Sequence, residues 1–183
     1  METILNRDIA VGAPARKVLG IAFFLSATVL GAFVRIPLPF TPVPATLQTF
    51  FVLLAGAYLG AGAGASSQVF YIALGAAGAP IFSGAACGLA ALSGPTGGYL
   101  LGFAAAAFMI GALKKFCGSF TLTLALFCLA ALVILLSGSL WLKACLGLAW
   151  PAAFKLGAAP FLAGDLFKAC AATSVYWRIK KTI

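Results

Sequence analysis

A chain of 183 residues that is 63% hydrophobic and 8% charged, with a mean hydropathy of +1.13, lacks the charge needed to cover a water-soluble domain. Its twelve basic and three acidic residues give a net charge of +9, but the basic groups stand in small sets between apolar runs, without the basic face or aromatic platform of a nucleic-acid binder. Histidine is absent and Cys87, Cys117, Cys128, Cys145 and Cys170 form no CxxC pair, which excludes Ser-His and Cys-His catalysis within these residues and leaves zinc and iron sites unsupported.

The pattern predicts an all-α, polytopic membrane protein, a single transmembrane domain of six helices over 18–35, 45–60, 65–82, 98–113, 118–142 and 160–177. Arg16-Lys17 open the first span, and Arg35-Ile36-Pro37 closes it without the small residues of a signal-peptide cleavage site. Two small-xxx-small spacings, Ala22/Ser26 and Ala27/Gly31, suit that helix to close packing against a subunit or another part of the chain. Pro37, Pro39, Pro42 and Pro44 deny backbone donors and make 36–44 a rigid extended loop. Gly60, Gly62 and Gly64 mark a tight turn between the second and third spans. A loop over 83–98 ends in Gly94-Pro95-Thr96-Gly97-Gly98, and Lys114-Lys115 stop the fourth span. Between the fifth and sixth, residues 143–159 hold an apolar stretch of only 11 residues, too short to cross a bilayer, and are expected to form an outer or re-entrant connection.

Six spans put both termini on one side together with Arg7, Arg16, Lys17, Lys114, Lys115, Arg178, Lys180 and Lys181, against Arg35, Lys143 and Lys155 on the other. The positive-inside rule then assigns both termini to the cytoplasm. The proline loop, the glycine-rich loop, the 143–159 connection and the start of the sixth helix share the outer face.

Glu2 and Asp8 lie in the N-terminal tail, which leaves Asp165 as the one acid in the membrane domain. A charged group at mid-helix costs about 2.5–3.5 kcal/mol on insertion scales, so it needs a partner or a use. Lys168, three residues on, shares its helical face. The pair reads either as a buried ion pair that lets the helix start below the headgroups or as part of a small-molecule site. Thr46, Gln48, Thr49 and Tyr99 fall at the same depth and would add an amide, hydroxyls and a phenol to that site. Gly97 and Gly98 allow either close backbone approach to a ligand or a flexible turn. One carboxylate without histidine, metal cluster or activated nucleophile supplies few of the roles an intramembrane enzyme needs, so a binding or transport protein is expected.

Three ordered segments, Pro42-Val43-Pro44-Ala45-Thr46-Leu47-Gln48-Thr49-Phe50, Gly94-Pro95-Thr96-Gly97-Gly98-Tyr99-Leu100 and Pro160-Phe161-Leu162-Ala163-Gly164-Asp165-Leu166-Phe167-Lys168, resemble the BioY family of biotin transporters. These are substrate-binding S components of energy-coupling factor (ECF) transporters. The resemblance covers about 16–168 and departs from it at Ala163, where the family often has proline. It implies a multi-pass protein of a bacterial-type cytoplasmic membrane that binds biotin near the outer face through Asp165 and Lys168. Gln48, Thr96, Tyr99 and Gly98 are implied as further binding positions, and Arg35 either meets the ligand carboxylate or serves as an interfacial anchor. The resemblance also implies an ECF transmembrane coupling subunit and an ATPase pair as partners, or a solitary or homo-oligomeric mode. The alternative is an S component or small transporter for another vitamin-sized ligand. No cofactor is expected, biotin being cargo, and these residues contain no Walker A pattern, so ATP hydrolysis would come from partners.

Overall fold

The computed structural model describes residues 13–180; Glu2, Arg7, Asp8 and Lys181 lie outside them. Helix makes up 78% of the described residues, as the all-α expectation requires. Eight α-helices follow in order among the described residues: α1 (Ala13–Phe33), α2 (Gln48–Leu59), α3 (Ala61–Ala76), α4 (Gly88–Ser93), α5 (Gly97–Leu113), α6 (Phe120–Leu146), α7 (Trp150–Gly157) and α8 (Leu162–Lys180). The long helices α1, α2, α3, α5, α6 and α8 run alternately up and down; α4 and α7 are short pieces in the connections. Pro14–Phe33, Gly97–Phe116 and Phe120–Leu146 are long and apolar enough to cross a membrane.

Small residues set the spacing of the bundle. A side chain on Gly56 of α2 would run into the Ala107 backbone of α5, and one on Gly111 of α5 into the Gly60–Ala61 turn. Apolar helices gain little from the hydrophobic effect where lipid is the alternative, so close backbone contact of this kind carries much of their association. Of the two small-residue spacings on α1, Ala27/Gly31 packs inward, with Gly31 against Gln48 and Phe51 of α2, whereas Ala22 and Ser26 are exposed. The outer surface is itself apolar, with Val18, Phe23, Leu132 and Leu136 all exposed.

Several boundaries differ from the sequence expectation, each for a local reason. α3 begins at Ala61, directly after Gly60 takes a φ of 83°, and ends at Ala76 instead of continuing to 82. Gly78, at φ 108°, turns the chain, and Phe82 folds back to cover Gly75 and meet the Tyr71 ring edge-on at 5.5 Å. α6 is capped by Ser119, whose Oγ accepts from Leu122 N at 3.2 Å, and runs past Lys143 to Leu146, where Gly147 ends it in the left-handed conformation. The 143–159 connection therefore contains the last turn of α6 and a separate helix, α7, with a proline in its first turn.

The proline loop is less simply extended than expected. Strands β1 (Arg35–Ile36) and β2 (Ala45–Thr46) pair antiparallel, with Arg35 opposite Thr46, and fold the loop into a hairpin. Leu47 N donates to Gly31 O at 3.2 Å and Val34 O at 3.1 Å, which fixes the hairpin over the end of α1. Helix α2 has only 12 residues, about 18 Å of rise against a hydrocarbon core of about 30 Å. The hairpin occupies the level that a longer α2 would have filled.

Candidate functional site

Because α2 starts late and α3 stops early, one end of the bundle is hollow. The cavity there is partly open to solvent. The proline hairpin, the loop after α3, the starts of α5 and α8, and the middle of α6 all contribute walls. Phe82, Leu100, Phe103, Ile134, Leu135 and Phe161 form its apolar surface.

Asp165 and Lys168, on the first turns of α8, both reach this space. Lys168 Nζ donates to Asp165 Oδ1 at 2.8 Å, and Asp165 is only 4% exposed. It is the one salt bridge among the described residues. The bond uses one of the ammonium's three donors and one of roughly four acceptor positions on the carboxylate. Both groups can therefore receive a polar ligand without separating. Asp165 also borders an apolar cleft between α6 and α8, formed with Ala131, Leu132, Leu162 and Leu166. Asp165 thus stands between a partly polar cavity and a largely apolar cleft.

Gln48 lines the cavity but is already held on two sides. Thr46 Oγ1 donates to its Oε1 at 3.1 Å, and its Nε2 donates to Tyr71 Oη at 2.8 Å. Tyr71 in turn donates to Ile81 O at 3.2 Å, so the chain Thr46–Gln48–Tyr71 fastens the loop after α3 to the start of α2. One amide N–H and one carbonyl lone pair of Gln48 remain. Thr49 and Thr96 line the same space, and Thr96, at the N-cap of α5, makes no side-chain cap bond.

Tyr99 contributes its ring rather than its hydroxyl. The hydroxyl donates to Gly157 O of α7 at 2.6 Å, and the ring stands edge-on to Phe161 at 6.4 Å. Gly98 does not line the cavity. A side chain there would strike Trp141 and the Ser137 carbonyl of α6, so its small size serves helix packing. Trp141 Nε1 also donates to Gly94 O at 3.0 Å, tying the Gly94–Gly98 turn to α6. Arg35 is likewise absent from the cavity wall; it is exposed on β1 with its guanidinium across Gly84.

The structure thus gathers Gln48, Thr96, Tyr99, Asp165 and Lys168 and leaves Gly98 and Arg35 outside the wall. Sequence reasoning missed Phe82, which the hydropathy placed inside a helix, and Ser83 beside it. The bend at Gly78 was the available signal for both.

The BioY family profile matches residues 3–183. A probable biotin transporter BioY of Pyrococcus horikoshii is 39% identical over 166 residues, 91% of this chain and 97% of the relative. The biotin transporter BioY of Thermotoga maritima is 37% identical, again over 91% of this chain and 96% of the relative. A crystal structure of the S-component for biotin from an ECF-type ABC transporter superposes with a TM-score of 0.86 at 27% identity, covering 92% of each chain. With near-complete coverage in sequence and in fold, this chain belongs to the BioY family.

Proposed function

We propose that the chain binds biotin in the cavity at the α8 end pair and acts as the substrate-specific component of an ECF-type transporter. The observation that carries this reading is the Asp165–Lys168 pair, its carboxylate buried, set among apolar walls in a partly open cavity. Biotin's ureido ring offers two N–H donors and a carbonyl, which a carboxylate and an ammonium on one helical face can satisfy together. Its thiophane ring and valeryl chain fit against Phe82, Phe103 and Phe161. Gln48 and Thr96 supply further hydrogen-bonding groups, and Tyr99 a flat wall.

In this reading the six long helices span the cytoplasmic membrane and both ends face the cytoplasm. Lys114, Lys115, Arg178 and Lys180 stand at the end away from the cavity, and Arg35, Lys143 and Lys155 at the cavity end, in keeping with the positive-inside rule. The cavity would then open outward. A transmembrane coupling subunit and an ATPase pair would drive release to the inside.

A thermal-shift panel of vitamins on the purified protein tests the ligand, since a ligand that binds only the folded state raises stability by mass action. Biotin should stand out; stabilisation by a different vitamin and not by biotin would transfer the site to that ligand. Biotin uptake by cells expressing the chain with and without ECF subunits tests the partnership. Equal uptake in both would favour a solitary mode.

A further inference from the structure

The end of the bundle away from the cavity makes its hydrogen bonds internally but leaves its charge uncompensated. Lys114 and Lys115 follow α5 in the short helical turn Lys114–Phe116, and Arg178 and Lys180 lie in the last turn of α8. Asp165, the one acidic side chain among the described residues, stands at the opposite end.

Two of these cations are held in place, and held near each other. Lys114 Nζ donates to Ala57 O in the last turn of α2. Lys180 Nζ lies over the rings of Trp177 at 4.9 Å and Tyr176 at 5.9 Å. Both rings are fixed in turn: Trp177 Nε1 donates to Thr123 Oγ1 of α6 at 2.9 Å, and Tyr176 meets the Tyr58 ring of α2 at 5.5 Å. The ammonium groups of Lys114 and Lys180 repel one another. A helix C-terminus offers about half a negative charge, and a ring face only the pull of its quadrupole. Neither offsets two full positive charges, so the pair favours an anion from outside these residues.

The surroundings favour one class of anion. Leu113, Phe116 and Ile179, next to these lysines in the chain, are all exposed. Tyr58, Tyr176 and Trp177 gather at the same level, as amphipathic rings do where a membrane meets water. Cations bordered by bare apolar surface match an amphiphile, whereas a soluble phosphate or an acidic protein segment would use the charge alone. We infer that Lys114 and Lys180 bind the phosphate of an anionic phospholipid, whose acyl chains lie along the exposed apolar side chains beside them. The inference is independent of the ligand held in the cavity.

The test is native mass spectrometry of the purified full chain in neutral detergent, given equal amounts of phosphatidylglycerol and phosphatidylcholine with the same acyl chains. The unmodified protein should retain phosphatidylglycerol over phosphatidylcholine by roughly tenfold or more, and less so as salt rises. Lys114→Gln and Lys180→Gln should each lower that preference about fivefold, and Lys114→Arg should keep most of it. Lys180→Gln alters an exposed last turn, so its result does not depend on a folding defect. Lys17→Gln, at the start of α1 on the same end, should change the ratio by less than about twofold. Equal retention of the two lipids, or as large a loss in Lys17→Gln as in Lys180→Gln, would overturn the site. Glycerol 3-phosphate should not displace the lipid; displacement would give the site to a soluble phosphate. Weaker binding of ECF subunits by Lys180→Gln, without any lipid preference in the unmodified chain, would give it to a protein partner instead.

Discussion

The two ends of the bundle use the same small residues to opposite effect. At the end carrying Lys114 and Arg178, Gly56 and Gly111 let helices meet backbone to backbone, Lys114 Nζ donates to Ala57 O, and Trp177 Nε1 donates to Thr123 Oγ1 at 2.9 Å. Polar groups there are consumed in closing the structure. At the other end α2 and α3 fall short, loops fill the level, and polar groups arrive with bonding capacity left over, as in Asp165, Lys168, Gln48 and Ser83. A polar-lined cavity in a helical domain therefore needs no special fold. It needs helices that begin late and loops rigid enough to stand in for the missing turns.

Substitutions can sharpen this contrast. The largest effect is expected at the ion pair: Asp165→Asn and Lys168→Met should each lower biotin affinity at least about 100-fold by calorimetry, since each removes a charge-assisted bond to the ligand. Lys168→Met should also cost about 3 kcal/mol of stability by stranding a buried carboxylate. Unchanged affinity in both would show that the pair only holds α8 in place.

At the closed end, Gly111→Val should lower stability by roughly 1–3 kcal/mol through overpacking against Gly60–Ala61. The fraction that folds should keep its biotin affinity within about twofold. A selective loss of binding would mean that the two ends are coupled. Tyr99→Phe should cost about 1–2 kcal/mol in a melting experiment, because it strands the Gly157 carbonyl, and should weaken biotin severalfold as α7 loosens. The smallest change is expected from Lys114→Met, below about 1 kcal/mol in stability and none in affinity.

How far these features were legible depended on how they are encoded. Long apolar runs and the turn glycines pointed to the long helices, because sustained hydropathy separates apolar helices from the turns between them. Asp165 and Lys168 were legible because charge is rare in such a chain. α4 and α7 were not, since six and eight residues of mixed character carry too little periodicity. Residues 77–82 misled for the opposite reason: Ile81 and Phe82 extend the apolar run, and only Gly78 breaks it. Ser83 sits among Gly, Ala and Ser, where composition cannot separate a cavity-lining residue from a linker. Gly98 read as a turn residue, yet the side chain it makes room for, Trp141, is 43 positions away.

The short helix α7 shows what such a construction demands of motion. Its last carbonyls, Leu156 O and Gly157 O, are the ones a helix leaves without internal partners. Thr41 Oγ1 donates to the first at 2.9 Å and Tyr99 Oη to the second at 2.6 Å, so adjacent peptide groups pin the proline hairpin and α5 to the same spot. Oil offers these oxygens nothing in exchange, and only water can replace both donors at once. Parting α7 from the hairpin and α5 would therefore leave two adjacent carbonyls bare unless water took the place of both donors.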